Sequence, residues 1–227
     1  MKKFYITLLS SLLFVTNYAT DIYVNNSGQA GTYTTIAGAI SAASAGDRIY
    51  ISPYGLYVED LTVAKSLTFA SSVSGVNFNV DGGMNITANA GMDVRVVGGV
   101  FSGNLTATTN TATQNNMTDI YVIDSDFNAI LLDDNFVKAH LLFCESLGSV
   151  DIQNGEIVGC SLGAIDIEDG PNVGTGDTVK IIGNVFSANC GLDLRNDDNY
   201  FMVMNNYIRN QVVITNNHYS SFVNNIF

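Results

Sequence analysis

The feature that most constrains this chain is a four-residue unit that recurs towards its end. NNIF occupies residues 224–227, NNYI residues 205–208 and GNVF residues 183–186. The aromatics Phe186, Tyr207 and Phe227 stand 21 and 20 residues apart. GGVF at 98–101 and DSDF at 124–127 read as the same unit with a longer gap. Between these markers lie short apolar strands broken by turns. One unit runs Leu192-Asp193-Leu194, RNDDN, YFMVM, Asn205-Asn206 and Tyr207-Ile208. The next runs VVI at 212–214, TNNHY, SSFV, Asn224-Asn225 and Ile226-Phe227. Three strands in a period of about 20 residues leave no room for hairpins. Winding into a coil solves the problem, because each strand then pairs in parallel with its equivalent one turn later, ~4.8 Å away. Every turn adds its inward residues to one continuous core.

Composition bounds what such a coil can do. The chain has 227 residues, 47% hydrophobic and 13% charged, which suffices for one domain with a large core and excludes a disordered chain. Met1-Lys2-Lys3, an apolar run from Ile6 to Val15 and the small residue Ala19 read as a secretory signal peptide, too short to span a bilayer. The expectation is export, to the medium or the cell surface, with no membrane span left after the leader is removed. The formal net charge is −12, and loss of a leader that holds Lys2 and Lys3 but no acid makes it −14. Such a body repels nucleic acid and anionic lipid and attracts divalent cations. Cys144, Cys160 and Cys190 are odd in number and lack metal-binding spacing, so they read as small core residues, with a disulfide between some pair left open. Tryptophan is absent, so stacking on a sugar would fall to Tyr or Phe.

With these strands and turns the chain resembles the parallel β-helices of the pectate-lyase-like superfamily, over about residues 33–227. The resemblance implies an all-β, single-stranded, right-handed parallel β-helix with three short strands per coil and a short N-terminal capping helix. It divides the chain into a signal peptide at 1–19, a cap at 20–60 and the β-helix at 61–227. It also implies a structural asparagine ladder at the tight turn between second and third strands, here Asn184, Asn205 and Asn224. The cap lies in YTTIAGAISAASAGDRIYISPYGLYVEDLTVAKSLTF. There Ile36 and Ile40 stand i, i+4 beside Ala39 and Ala43, Gly46 is a stop signal, and Pro53-Tyr54-Gly55 make a turn. Phe227 is an apolar strand residue with nothing after it, so a longer protein, a further C-terminal domain or a partner is expected over the last coil.

Three aspartates interrupt apolar strands: Val150-Asp151-Ile152, Ile165-Asp166-Ile167 and Leu192-Asp193-Leu194. Alternation turns each Asp outward when its neighbours turn in. One first-strand residue per coil gives an outward column Thr62, Asn85, Thr106, Leu131, Asp151, Asp166, Asp193, Val213. In the family this is the face that carries the substrate groove. Outward acids also serve simply to keep a strand-rich surface wet. As a site, the column offers two chemistries. It binds: Asp151, Lys180 and Asp197 contact a polysaccharide, and Asp166, Glu168 and Asp193 hold a hard cation such as Ca²⁺. Or it catalyses: Asp166 and Asp193 act as the acid and its partner in a glycoside hydrolase, or Arg195 acts as base in a polysaccharide lyase. No short catalytic signature of the family is written on this face, so a binding or structural surface protein is the leading expectation. His140, after FVKA, reads as a polar filler near a turn, and His218 as a loop residue.

Overall fold

Short segments in which every second residue is apolar can bury one face only as strands. The computed structural model describes residues 19–113, 115–132, 136–167, 178–186, 192–195, 200–209, 211–215 and 220–227. Strands make up 58% of it and helix 4%. Ten parallel strands form one sheet: Asp21–Val24, Arg48–Ile51, Leu67–Ser71, Asp93–Val97, Thr118–Ile123, Val137–Leu142, Gly155–Val158, Thr178–Ile182, Tyr200–Met204 and Ser220–Val223. The intervening strands form a second, bent sheet with two legs. Gly99–Phe101, Asp126–Phe127 and Val185–Phe186 belong to the short leg. Met84–Ala88, Leu105–Thr109, Leu192–Arg195 and Val212–Thr215 belong to the long leg. Glu145–Ile152 and Ser161–Ile167 each run through both legs, with a shift of register between Ser146 and Ser149. The outcome is the three-strand-per-coil parallel β-helix that the repeat demands.

Inward residues align coil over coil. Ile49, Phe69, Val96, Val122, Leu141, Ile157, Ile181 and Val203 form one fully buried column. Burying side chains of this size is worth about 1.5–3 kcal/mol each. Phe78, Phe101 and Phe127 fill the core beneath the short leg, with the last two rings stacked at 4.3 Å.

The first coil is plugged by the helix Ile36–Ala42, which buries Ile36, Ala39 and Ile40. A helix this short does not hold itself together, so its free backbone groups need outside partners. The Glu59 carboxylate accepts from the N–H groups of Ile36 and Ala37 at 2.7 and 2.9 Å. At the other end the Lys65 ammonium donates to the carbonyls of Ile40 and Ala43 at 3.0 and 2.7 Å. Each charge sits at the helix pole of opposite sign.

The recurring tetrapeptide is the corner between the ten-stranded sheet and the short leg. Its first residue is left-handed: Gly98, Asp124, Phe143, Gly159, Gly183, Asn205 and Asn224 have φ between 48° and 69°. Its second residue points inward and stacks on its equivalents. Cys160 N–H donates to Asn184 Oδ1 at 2.8 Å, and Asn184 N–H and Nδ2 donate to Asn206 Oδ1 at 2.9 and 3.0 Å. Asn206 N–H and Nδ2 donate in turn to Asn225 Oδ1, each at 3.0 Å. The inward ladder is therefore Asn184 and Asn206, both buried, and the partly buried Asn225, where Asn184, Asn205 and Asn224 were expected. Asn205 and Asn224 fill the left-handed slot, which Asn tolerates better than most residues. Their amides meet at the surface, Asn224 Nδ2 donating to Asn205 Oδ1 at 2.8 Å. Upstream the ladder continues through Cys160 and Cys144, both buried free thiols, with Cys144 N–H donating to Cys160 Sγ at 3.3 Å. Among the described residues no helix is long and apolar enough to cross a membrane.

Candidate functional site

Register on the long leg places Thr62, Asn85, Thr106, Leu131, Asp151, Asp166, Asp193 and Val213 in one column, as alternation predicts. Asp151, Asp166 and Asp193 thus stand on consecutive rungs, ~4.8 Å apart along the coil axis. Each is partly exposed, whereas the apolar residues on either side of each are buried. Ser149 Oγ donates to Asp151 Oδ2 at 3.3 Å. The three carboxylates line an open cleft of about 380 Å³ together with Ser149, Gln211 and Val213. Neighbouring like charges at this spacing repel by ~1 kcal/mol in water and ~3 kcal/mol at an effective dielectric near 20. A ligand that donates hydrogen bonds or brings positive charge would relieve that repulsion.

The other residues expected here separate into three groups. Arg195 closes the strand Leu192–Arg195, in register with Thr215. Glu168 and Asp197 lie outside the described residues, as do Asp169, Asp198, Cys190, His218 and the segment 171–177. Lys180 does not join the acids. It faces outward from the ten-stranded sheet, with its Nζ 3.8 Å from Glu156 Oε2. Among the described residues no three His, Cys, Asp or Glu side chains gather as a metal ion would need.

Two clusters were not foreseen. On the short leg Asp126 and Glu145 are paired across adjacent strands. They line a cleft of about 340 Å³ with Val100, Ser102 and Asn128. Burial, and then repulsion from Glu145, push the Asp126 carboxyl above the usual carboxylate range.

The second cluster lies on the ten-stranded sheet. His140 sits mid-strand in Val137–Leu142 rather than near a turn. Its Nδ1 is 3.0 Å from Glu156 Oε1 and its Nε2 3.2 Å from Asp119 Oδ1. The imidazole stacks on Tyr121 at 4.3 Å, and the Arg95 guanidinium covers the other tyrosine face at 4.2 Å. Two carboxylate acceptors require N–H on both ring nitrogens, which only the imidazolium supplies. Burial alone would lower the His140 pKa and is the largest influence, but the bonds to Asp119 and Glu156 and their charges outweigh it, so the pKa is raised. The bond from His140 lowers that of Glu156. The His140 contribution to stability is full below the unfolded histidine pKa near 6.5 and fades as pH rises through the folded value. The Glu156 contribution is full above its unfolded value near 4.3 and fades as pH falls through the folded one. The melting-temperature gap between the native chain and His140→Gln is therefore expected to be widest between about pH 4.5 and 6.5 and to shrink on either side, as thermal melts across pH would show.

Chemically, the long-leg column offers a row of acceptors at fixed pitch in an open cleft. The histidine network, with both ring nitrogens engaged, is built to hold strands together rather than to move protons. Compared with protein-family models, with curated proteins and with solved structures, the chain matches none significantly.

Proposed function

We propose that this is an exported surface or extracellular protein of the pectate-lyase-like kind, whose long-leg face binds polysaccharide. The observation that supports the reading is the register of Asp151, Asp166 and Asp193, three acceptors in line over one open cleft. Sugar hydroxyls are good donors to a carboxylate oxygen, and with Oδ1 of Asp166 and of Asp193 buried, each of these two offers a ligand one oxygen. An extended glycan laid along the coil axis presents such hydroxyls to successive rungs. A neutral glycan meets no repulsion, while a uronate polymer needs Ca²⁺ bridging to Asp166, Glu168 or Asp193.

A second reading, catalysis on the same face, draws on the direct pairing of Asp166 with Asp193. Carboxylates on adjacent rungs are close to the about 5–5.5 Å separation of retaining glycosidases. Asp166 would be the acid and Asp193 the nucleophile; in a lyase Arg195 would take the proton beside a uronate carboxyl.

Immobilised pectins, alginates and neutral glycans, each with and without calcium, test both. Retention on at least one glycan, weakened at least about tenfold by Asp166→Asn with the fold intact, is the expected result. Retention on none ends the binding reading. New reducing ends or unsaturated-product absorbance that vanish in Asp166→Asn would replace binding by catalysis.

A further inference from the structure

The outer face of the ten-stranded sheet carries an apolar stripe along its whole length. Tyr50, Val97, Ile123, Leu142, Val158 and Ile182 share one register column, and all point outward and stay partly exposed. Its end members Tyr23 and Val223 are 49% and 45% exposed. Beside the stripe stands Phe143, 65% exposed, with φ of 57°. A bulky residue held left-handed carries backbone strain. Among the described residues the ring lies over Gly159 on the next coil.

The charged residues beside the stripe are already paired with one another on this face. Arg48 meets Asp21, Arg95 meets Asp93, and His140 and Lys180 share Glu156. Covering such a face removes few charges that lack a counter-charge, which keeps the desolvation cost down. The tyrosines of the stripe, Tyr23 and Tyr50, stack on each other at one end and leave the rest of the column aliphatic, which gives an extended glycan little to bind, and a net charge of −12 opposes an anionic membrane. Area points to a flat partner of matching size. Ten strands at ~4.8 Å spacing and ~17 Å of strand give a footprint on the order of 700 Å², close to the about 800 Å² per partner of a stable interface.

We propose that the ten-stranded sheet is the interface of a face-to-face dimer of this chain, with stripe on stripe. A twofold axis in the interface, parallel to the strands, preserves position along the strand and inverts position along the coil. It therefore lays each stripe on its copy, antiparallel. Two bodies of like charge repel, so salt strengthens the association.

Sedimentation of the full chain from low micromolar to submillimolar concentration tests this. A dimer that tightens with salt is expected. Leu142→Glu and Ile182→Glu should each raise its dissociation constant at least about tenfold, while Thr106→Glu on the opposite face leaves it unchanged. Circular dichroism verifies folding, and the milder Ile182→Thr serves where a glutamate variant does not fold. A chain that stays monomeric throughout, or a dimer indifferent to the folded stripe variants, overturns the proposal.

Discussion

Asn206→Ala is expected to lower folding stability by about 3–5 kcal/mol, because it strands several buried partners at once. The Asn206 amide accepts from Asn184 N–H and Nδ2 and donates to Ile181 O and Asn225 Oδ1. Each buried polar group left unmatched costs about 1–3 kcal/mol, and partial relaxation keeps the total below the sum. The adjacent Asn205→Gly, in the exposed left-handed slot at φ 58°, should change stability by less than about 1 kcal/mol. Urea unfolding of the two variants measures the contrast. Equal losses would mean that the inner and outer positions of the corner are assigned wrongly.

Leu141→Ala and Leu142→Ala provide a second contrast between neighbours. Leu141 is fully buried between Val122 and Ile157, and its truncation should cost about 2–5 kcal/mol. Leu142 faces outward, and at concentrations where the chain is a monomer its truncation should cost under about 1 kcal/mol. A slip of one residue in the register would exchange the two results. Chemical denaturation at low protein concentration reads the difference directly.

Both contrasts bear on what the sequence could disclose. The acidic column was legible because each Asp is flanked by large apolar residues, so two-residue alternation alone decides its direction. The coil followed from the spacing of GNVF, NNYI and NNIF. The same corner recurs as Phe143-Cys144-Glu145-Ser146 and Gly159-Cys160-Ser161-Leu162, but a thiol takes the amide's place in both and a phenylalanine takes the left-handed slot in the first. Nothing in those letters resembles NNIF, so the coils between 128 and 165 were hard to count. Asn-Asn pairs hid a different ambiguity, since either residue can bond sideways and only the backbone angle says which one points in.

His140 was missed because its partners are remote in sequence. Asp119 lies 21 residues before it and Glu156 lies 16 residues after it. These two intervals differ, so no fixed period reveals the pairing. Ala139 adds to the disguise: a small inward residue weakens the apolar alternation that marks VKAHLL as a strand. Lys180 failed for the complementary reason. It is near Asp166 in sequence, but the corner of the coil puts it on a different sheet. Proximity along a solenoid chain is a poor guide to proximity in space; equivalent positions one coil apart are the better guide.

The site rests on distant carboxylates being carried to adjacent rungs, and cross-linking tests that most directly. With Asp166 and Asp193 replaced by cysteine, side chains on paired residues fall within the about 4.4–6.8 Å Cα separation that a disulfide accepts. Mild oxidation should join residues 166 and 193 within one chain, identified by mass mapping, while the pair Thr62→Cys and Asp193→Cys stays unlinked. Failure of 166 and 193 to join in the folded protein, or equal joining of 62 with 193, would contradict the shared column.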